Sequence, residues 1–162
     1  GILADSEGAN FVSGKGDREG LLENPVSVAI SQSGDIYVLE QGNFRVSAFD
    51  INGSVRQIFG DEEELKNYFD ISGLDTSAVL LDIDVESTGL IYVLHYVNGG
   101  KTKDDYFVQI YSKDGKLINT NNGIAAAKMA VDHFRNIFTL NYETIVTDIT
   151  EKPSVSMWIP LP

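Results

Sequence analysis

The chain has 162 residues, 43% apolar and 22% charged, which is one domain's worth of material with enough apolar side chains for a sizeable core. Lys and Arg number 12 against 24 Asp and Glu, and the formal net charge of −12 repels polyphosphate, so neither nucleic acid nor an anionic membrane is an expected partner. The absence of cysteine excludes disulfides, thiolate metal sites and cysteine nucleophiles, and leaves the compartment open.

In chain order, the opening Gly1-Ile2-Leu3-Ala4-Asp5 has no basic segment and no initiator Met. This fits a mature product or a part of a longer polypeptide, with a lean towards a secreted or cell-surface location. Residues 1–23 read as the end of a preceding unit, including a strand at Ile2 to Ala4, and a linker. Strands are predicted at Val26 to Ser31, Asp35 to Glu40, Arg45 to Asp50 and Val55 to Phe59, within residues 24–60. A short helical insertion is expected in the connection 61–80. Asp61 can cap it, Glu64 stands where a capping box needs an acid, and Leu65, Tyr68 and Phe69 share one apolar face. Residues 81–122 carry strands at Leu81 to Glu86, Leu90 to Tyr96, Tyr106 to Tyr111 and Leu117 to Asn121. Residues 123–162 carry Lys128 to Asp132, Asn136 to Tyr142, Thr144 to Asp148 and Val155 to Ile159. No run of about 18 apolar residues occurs, so no membrane insertion is expected.

These units are repeats. Val28 to Glu40 aligns without a gap on Ile83 to His95, and a looser copy runs from Met129 to Asn141. Val46 to Val55 aligns on Val108 to Leu117, which places Asn52-Gly53 and Asp114-Gly115 at one shared hairpin turn. Four strands per unit, at spacings near the roughly 40–45 residues of a propeller blade, predict an all-β fold of about three four-stranded blades. The surplus of the first connection falls at about Gly60 to Asp75, and a second insert lies between His95 and Val108.

Asn24-Pro25-Val26-Ser27-Val28-Ala29-Ile30, Gly34-Asp35-Ile36-Tyr37-Val38, Gly42-Asn43-Phe44-Arg45-Val46 and Phe49-Asp50-Ile51-Asn52-Gly53 together resemble an NHL repeat. Gly14 to Leu22 is similar to the linker that precedes such repeats, and the later units resemble the C-terminal part of bacterial NHL propellers. The resemblance implies a ring of usually six blades, of which this chain would supply half. The family's Asp at the end of the second strand is replaced here by Glu40, His95 and Asn141, all able to hydrogen-bond the turn. Three units plus one strand do not close a ring. The missing half is therefore expected from a longer polypeptide, a second polypeptide or a second copy.

No catalytic signature is present: there is no Gly-x-Ser-x-Gly elbow, and Gly14-Lys15-Gly16 lacks the ending of a phosphate loop. Asn52-Gly53-Ser54 is formally a glycosylation acceptor, but the turn explains it. The expected function is non-catalytic binding or scaffolding with a protein or glycan partner. Specificity is expected in the inserts, at Asp61, Glu62, Glu63 and Glu64 and at Lys101, Lys103, Asp104 and Asp105. The alternative is a metal-dependent hydrolase or lyase at the propeller channel. Asp82 and Asp84 lie on one face of an innermost strand, with His95 as the nearby imidazole. No cofactor is expected in the first reading, and calcium is the ion of the second; a hard cation needs about six oxygens, whereas backbone hydrogen bonds or a salt bridge to Lys128 would occupy the two acids. His133 is expected at the surface, and Trp158, Tyr96, Tyr142 and Phe134 in packing between blades.

Overall fold

The computed structural model describes residues 14–144 and 151–160. The strand expected at Ile2 to Ala4 and all of Thr144 to Asp148 beyond Thr144 itself lie outside them. The described chain forms three antiparallel sheets. The first orders β1 (Pro25–Ile30), β2 (Ile36–Glu40), β3 (Arg45–Phe49) and β4 (Tyr68–Asp70). The second orders β5 (Val79–Val85), β6 (Ile91–Tyr96), β7 (Tyr106–Tyr111) and β8 (Leu117–Asn122). The third orders β9 (Lys128–Val131), β10 (Ile137–Thr144) and β11 (Glu151–Trp158).

The repeat extends to single ladder positions. Ala29 pairs with Tyr37 in the first sheet, and their counterparts Asp84 and Tyr92 pair in the second. Each inner strand also carries an irregularity at the same place, between Pro25 and Ser27 and between Leu80 and Asp82. Such a bulge re-aims the residue that follows it. Gly53 and Gly115 have φ of 80° and 84°, the left-handed conformation that the matched Asn-Gly and Asp-Gly turns require. Asp50 Oδ1 accepts the Asn52 and Ser54 amides in one turn, and Ser112 Oγ accepts the Lys116 amide in the other.

The sheets stack face to face, which explains why β6 is apolar on both sides. One core between the first and second sheets gathers Tyr37, Leu39, Val46, Phe59, Phe69, Ile91, Val93 and Tyr111. A second core between the second and third sheets gathers Tyr92, Leu94, Val108, Ile124, Met129 and Ile137. Alternate residues of β6 thus serve opposite cores. Polar stitching supports the first contact: Gln41 accepts from the Leu80 amide at 2.7 Å and donates to the Ala78 carbonyl at 3.0 Å.

The expected helix after Asp61 does not form. Phe59 and Lys66 instead close a small hairpin, with Asp61 to Glu64 at its tip, and β4 takes the outer edge of β3. Burial decides this. Phe69 packs edge-on against Phe59 at 4.8 Å and meets Tyr111 at 4.7 Å, and a helix would withdraw it from both. The fourth strand expected at Val55 to Phe59 is correspondingly reduced to isolated bridges. Among the described residues the one helical turn, of 3-10 type, is Lys103–Asp105 in the other insert.

A Cβ built on Gly115 would stand 3.0 Å from the Phe69 side chain, beyond the strain of its positive φ. We expect Gly53→Val to destabilise the protein by about 1 kcal/mol or more, and Gly115→Ala to cost more than Gly53→Ala. Urea denaturation of the three variants checks this, and equal stability of the two alanine variants would contradict it.

Candidate functional site

The inner strands carry the acids that the sequence singles out. β5 contacts both β1 and β9, and Ser27, Asp82 and Lys128 occupy the same repeat position on the three strands. Asp82 is buried. Its Oδ1 accepts from the Ser27 hydroxyl at 2.6 Å, and its Oδ2 accepts from the Met129 amide at 2.8 Å. One carboxylate therefore bonds to both neighbouring sheets. Asp84 repeats half of this pattern, with Oδ2 accepting from the Val131 amide at 2.7 Å and Oδ1 from the Val85 amide at 2.9 Å. The Ser27 hydroxyl accepts a long bond from the Ile83 amide, at 3.4 Å, so it plays towards the second sheet the part Asp82 plays towards the third. Apart from the Ser27 hydroxyl, the partners of these oxygens are backbone amides, and Lys128 makes no ion pair with either acid.

His95 lies in the same ladder but not at the same point. Its ring is buried, stacked on Phe107 at 5.4 Å with an angle of 13° between planes, and Nδ1 has no hydrogen-bond partner. It does not brace the turn. Burial lowers its pKa from 6.5 to about 4, which keeps it neutral at pH 7. Among the described residues no group of three or more His, Asp or Glu side chains is placed to hold a metal ion, so Asp82, Asp84 and His95 are not gathered into one.

The counterpart pair in the first sheet is ionic. Glu40 pairs with Arg45 where His95 pairs with Phe107, and the Arg45 Nε to Glu40 Oε2 distance is 2.9 Å. Both side chains are buried, so each needs its remaining hydrogen-bonding capacity filled. Glu40 accepts from the Glu23 amide, the Asn43 side chain and the Ser47 hydroxyl. Arg45 donates to the Asp17 carbonyl at 2.6 Å and the Leu21 carbonyl at 2.8 Å, and lies 4.4 Å from the Tyr68 ring centre. The Gly-Asn-x-Arg turn is thus a staple that holds the linker 14–22 onto the first sheet.

The two inserts lie at opposite ends of the second sheet. The tip carrying Asp61, Glu62, Glu63 and Glu64 sits beside the turn after β7, where Lys116 Nζ approaches Asp61 at 3.4 Å. All four acids are exposed. Lys101, Lys103, Asp104 and Asp105 follow β6 at the other end, so no single contact surface joins the two groups. Asp105 is a brace: it accepts from the Thr102 amide at 2.8 Å and the Asn98 side chain at 3.2 Å, which lowers its pKa. Lys101, Lys103 and Asp104 are exposed. Phe134, expected in the packing, is 69% exposed on the turn before β10, with its ring 3.8 Å from that of His133. The side chain of Tyr142 lies outside the described residues. Sequence reasoning missed Ser27 and Gln41, whose short polar side chains carry no signal until their partner strands are in place.

No family model and no curated protein matches the sequence. Among solved structures, a luciferin-regenerating enzyme superposes with a TM-score of 0.52 at 12% identity, over 86% of this chain and 46% of its own. A Bacteroides caccae protein of unknown function gives 0.49 at 10% identity, over 83% and 45% of the two chains. A streptogramin B lyase gives 0.47 at 10%, over 85% and 41%. The likeness to the first is one of fold, which is propeller-like. This chain spans under half the length of each of the three.

Removing the Asp82 carboxylate leaves a buried amide and a hydroxyl without acceptors. We expect Asp82→Ala to destabilise by about 2–4 kcal/mol and Asp84→Ala by less, as read from urea unfolding. A loss under half a kcal/mol for Asp82→Ala, on the order of an ordinary surface substitution, would refute the bridge. His95 gives a pH dependence. Its folded pKa lies below its unfolded value, so the unfolded chain binds the proton more readily between about pH 6.5 and 4. Relative to His95→Phe, the protein should lose stability as pH falls through that window, by up to about 3 kcal/mol, and no further below it. Parallel stability curves for the two would contradict this.

Proposed function

We propose that the chain is a non-catalytic binding and scaffolding segment of an NHL-type propeller, three blades of a six-bladed ring, whose first partner is the polypeptide or second copy that completes the ring. The supporting observation is the pair of uncovered sheet faces. On the first sheet Val28 and Ile30 are 61% and 60% exposed, and on the third Val155 and Met157 are 74% and 53% exposed. The second sheet, covered on both sides, buries Ile83 and Val85, the counterparts of Val28 and Ile30. That inner-strand position is therefore apolar in both sheets and is buried where a neighbour stands against it. Exposed apolar residues grouped on one sheet face mark an interaction surface.

The inserts supply the further binding surface in this reading, as exposed charged segments on a rigid frame. Asp61 to Glu64 would meet a basic protein surface. The alternative, a metal-dependent hydrolase or lyase, needs Asp82 and Asp84 to release the Met129 and Val131 amides before they could hold a cation. A calcium or zinc ion bound stoichiometrically by the purified protein would favour it.

Native mass spectrometry and light scattering of the 162-residue chain test the assembly. The expected result is self-association, with binding of an apolar dye by any residual monomer. A monomer that unfolds cooperatively and binds no dye would overturn the reading.

A further inference from the structure

The repeat places two grooves at equivalent points, one on each side of the second sheet. The groove between the first and second sheets, about 710 Å³, is lined by Asp35, Tyr37, Gln57 and Gly89 among others. The groove between the second and third sheets, about 460 Å³, is lined at the same positions by Leu90, Tyr92, Asn119 and Arg135. The tyrosine is kept and the charge is changed. In the first groove Asp35 is paired with Arg56 at 2.8 Å. In the second, the acid has become leucine and the glycine has become arginine.

Arg135 occupies a position that the turn would give to glycine. Gly34, Gly89 and Arg135 all donate their amide to the residue three positions earlier, and their φ values are 91°, 94° and 69°. A side chain in that conformation is strained where glycine is not. Turn geometry alone does not account for the arginine. Among the described residues its guanidinium has no ion pair and no hydrogen bond, in a chain whose net charge is −12. Asp132, in the same turn, gives its oxygens to the Phe134 and Asn136 amides and the Asn136 side chain. Glu86 accepts from its own turn through Oε1, its buried Oε2 has no hydrogen-bond partner, and it lines the other groove. The Arg135 charge also acts on the Tyr92 phenol, opposing the rise that burial causes.

The rest of the second groove is apolar and amide-lined. The Trp158 indole N–H is satisfied by the Thr139 hydroxyl at 2.9 Å, which holds the ring as a wall. Ile110 and Ile137 line it, and Asn122 adds an amide. We propose that this groove binds a small organic carboxylate with a flat apolar body, the ring lying along Trp158 and Tyr92 and the carboxylate on Arg135. Arg135 is exposed at the rim of the groove, where a guanidinium–carboxylate pair supplies direction and the apolar walls supply contact. This site is independent of the assembly proposed above.

Trp158 is the chain's one tryptophan, so its fluorescence reports the groove directly. The probe is 3-phenylpropionate, with 3-phenylpropanamide as its uncharged counterpart. The expected result is a saturable change in Trp158 emission with the acid, weaker binding of the amide by about tenfold or more, and a loss of similar size in Arg135→Met. Arg135→Gly is the control for folding: it relieves the positive φ, should unfold at equal or higher urea, and should still lose the acid. No saturable response to the acid at millimolar concentration would overturn the proposal. So would equal affinity for acid and amide, which marks a general apolar contact, or unchanged affinity in Arg135→Gly.

Discussion

The Asp82 carboxylate, with one oxygen on the Ser27 hydroxyl and the other on the Met129 amide, is the contact on which the stacking of the three sheets depends. Apolar burial drives the sheets together, but it is non-directional and does not by itself fix which polar groups meet. A buried charge does fix this. Displacement of β9 along β5 would leave the carboxylate without its amide, at a cost well above that of an imperfect apolar contact. Asp84 and Val131 repeat the constraint two residues further on, so the relative position of the second and third sheets is specified twice.

The first and second sheets use weaker versions of the same device, and the difference follows from side-chain identity. Ser27 replaces Asp82 at the equivalent position, and its hydroxyl holds the Ile83 amide only at 3.4 Å. Gln41 supplements it with two bonds to the backbone around Leu80. One sheet end is closed by the Glu40–Arg45 pair and the other by His95 on Phe107, so the same ladder position is ionic in one repeat and neutral in the next. The ionic version has a further task. Arg45 reaches out to the Asp17 and Leu21 carbonyls and fixes the linker, which the neutral pair has no donors to do.

The hairpins were legible in the sequence because strand pattern and turn residues repeat together. Tyr37 and Tyr92, or Gly53 and Gly115, match by sequence alone, and their pairing follows. The segment after Asp61 was misread because capping is a local signal. Whether Phe69 sits in a helix or on β4 is decided by Phe59 and Tyr111, and the latter is distant in the chain. The acids of β5 could be placed on one face from alternation alone. Their acceptor role could not be assigned, since the Met129 and Val131 amides belong to a strand whose neighbour is set only by tertiary packing. Sequence reasoning did not single out Arg135, because what it faces depends on the third sheet standing against the second and forming the groove.

Hydrogen exchange of the Met129 and Val131 amides under native conditions tests the central claim most directly, because both point away from the β10 ladder and towards the β5 carboxylates. If the carboxylates hold the sheets in place, both amides exchange only through global unfolding, at the rate of the slowest core amides of β6. Exchange at the rate of exposed turn amides, with β6 still protected, would show that the third sheet is held by apolar contact alone.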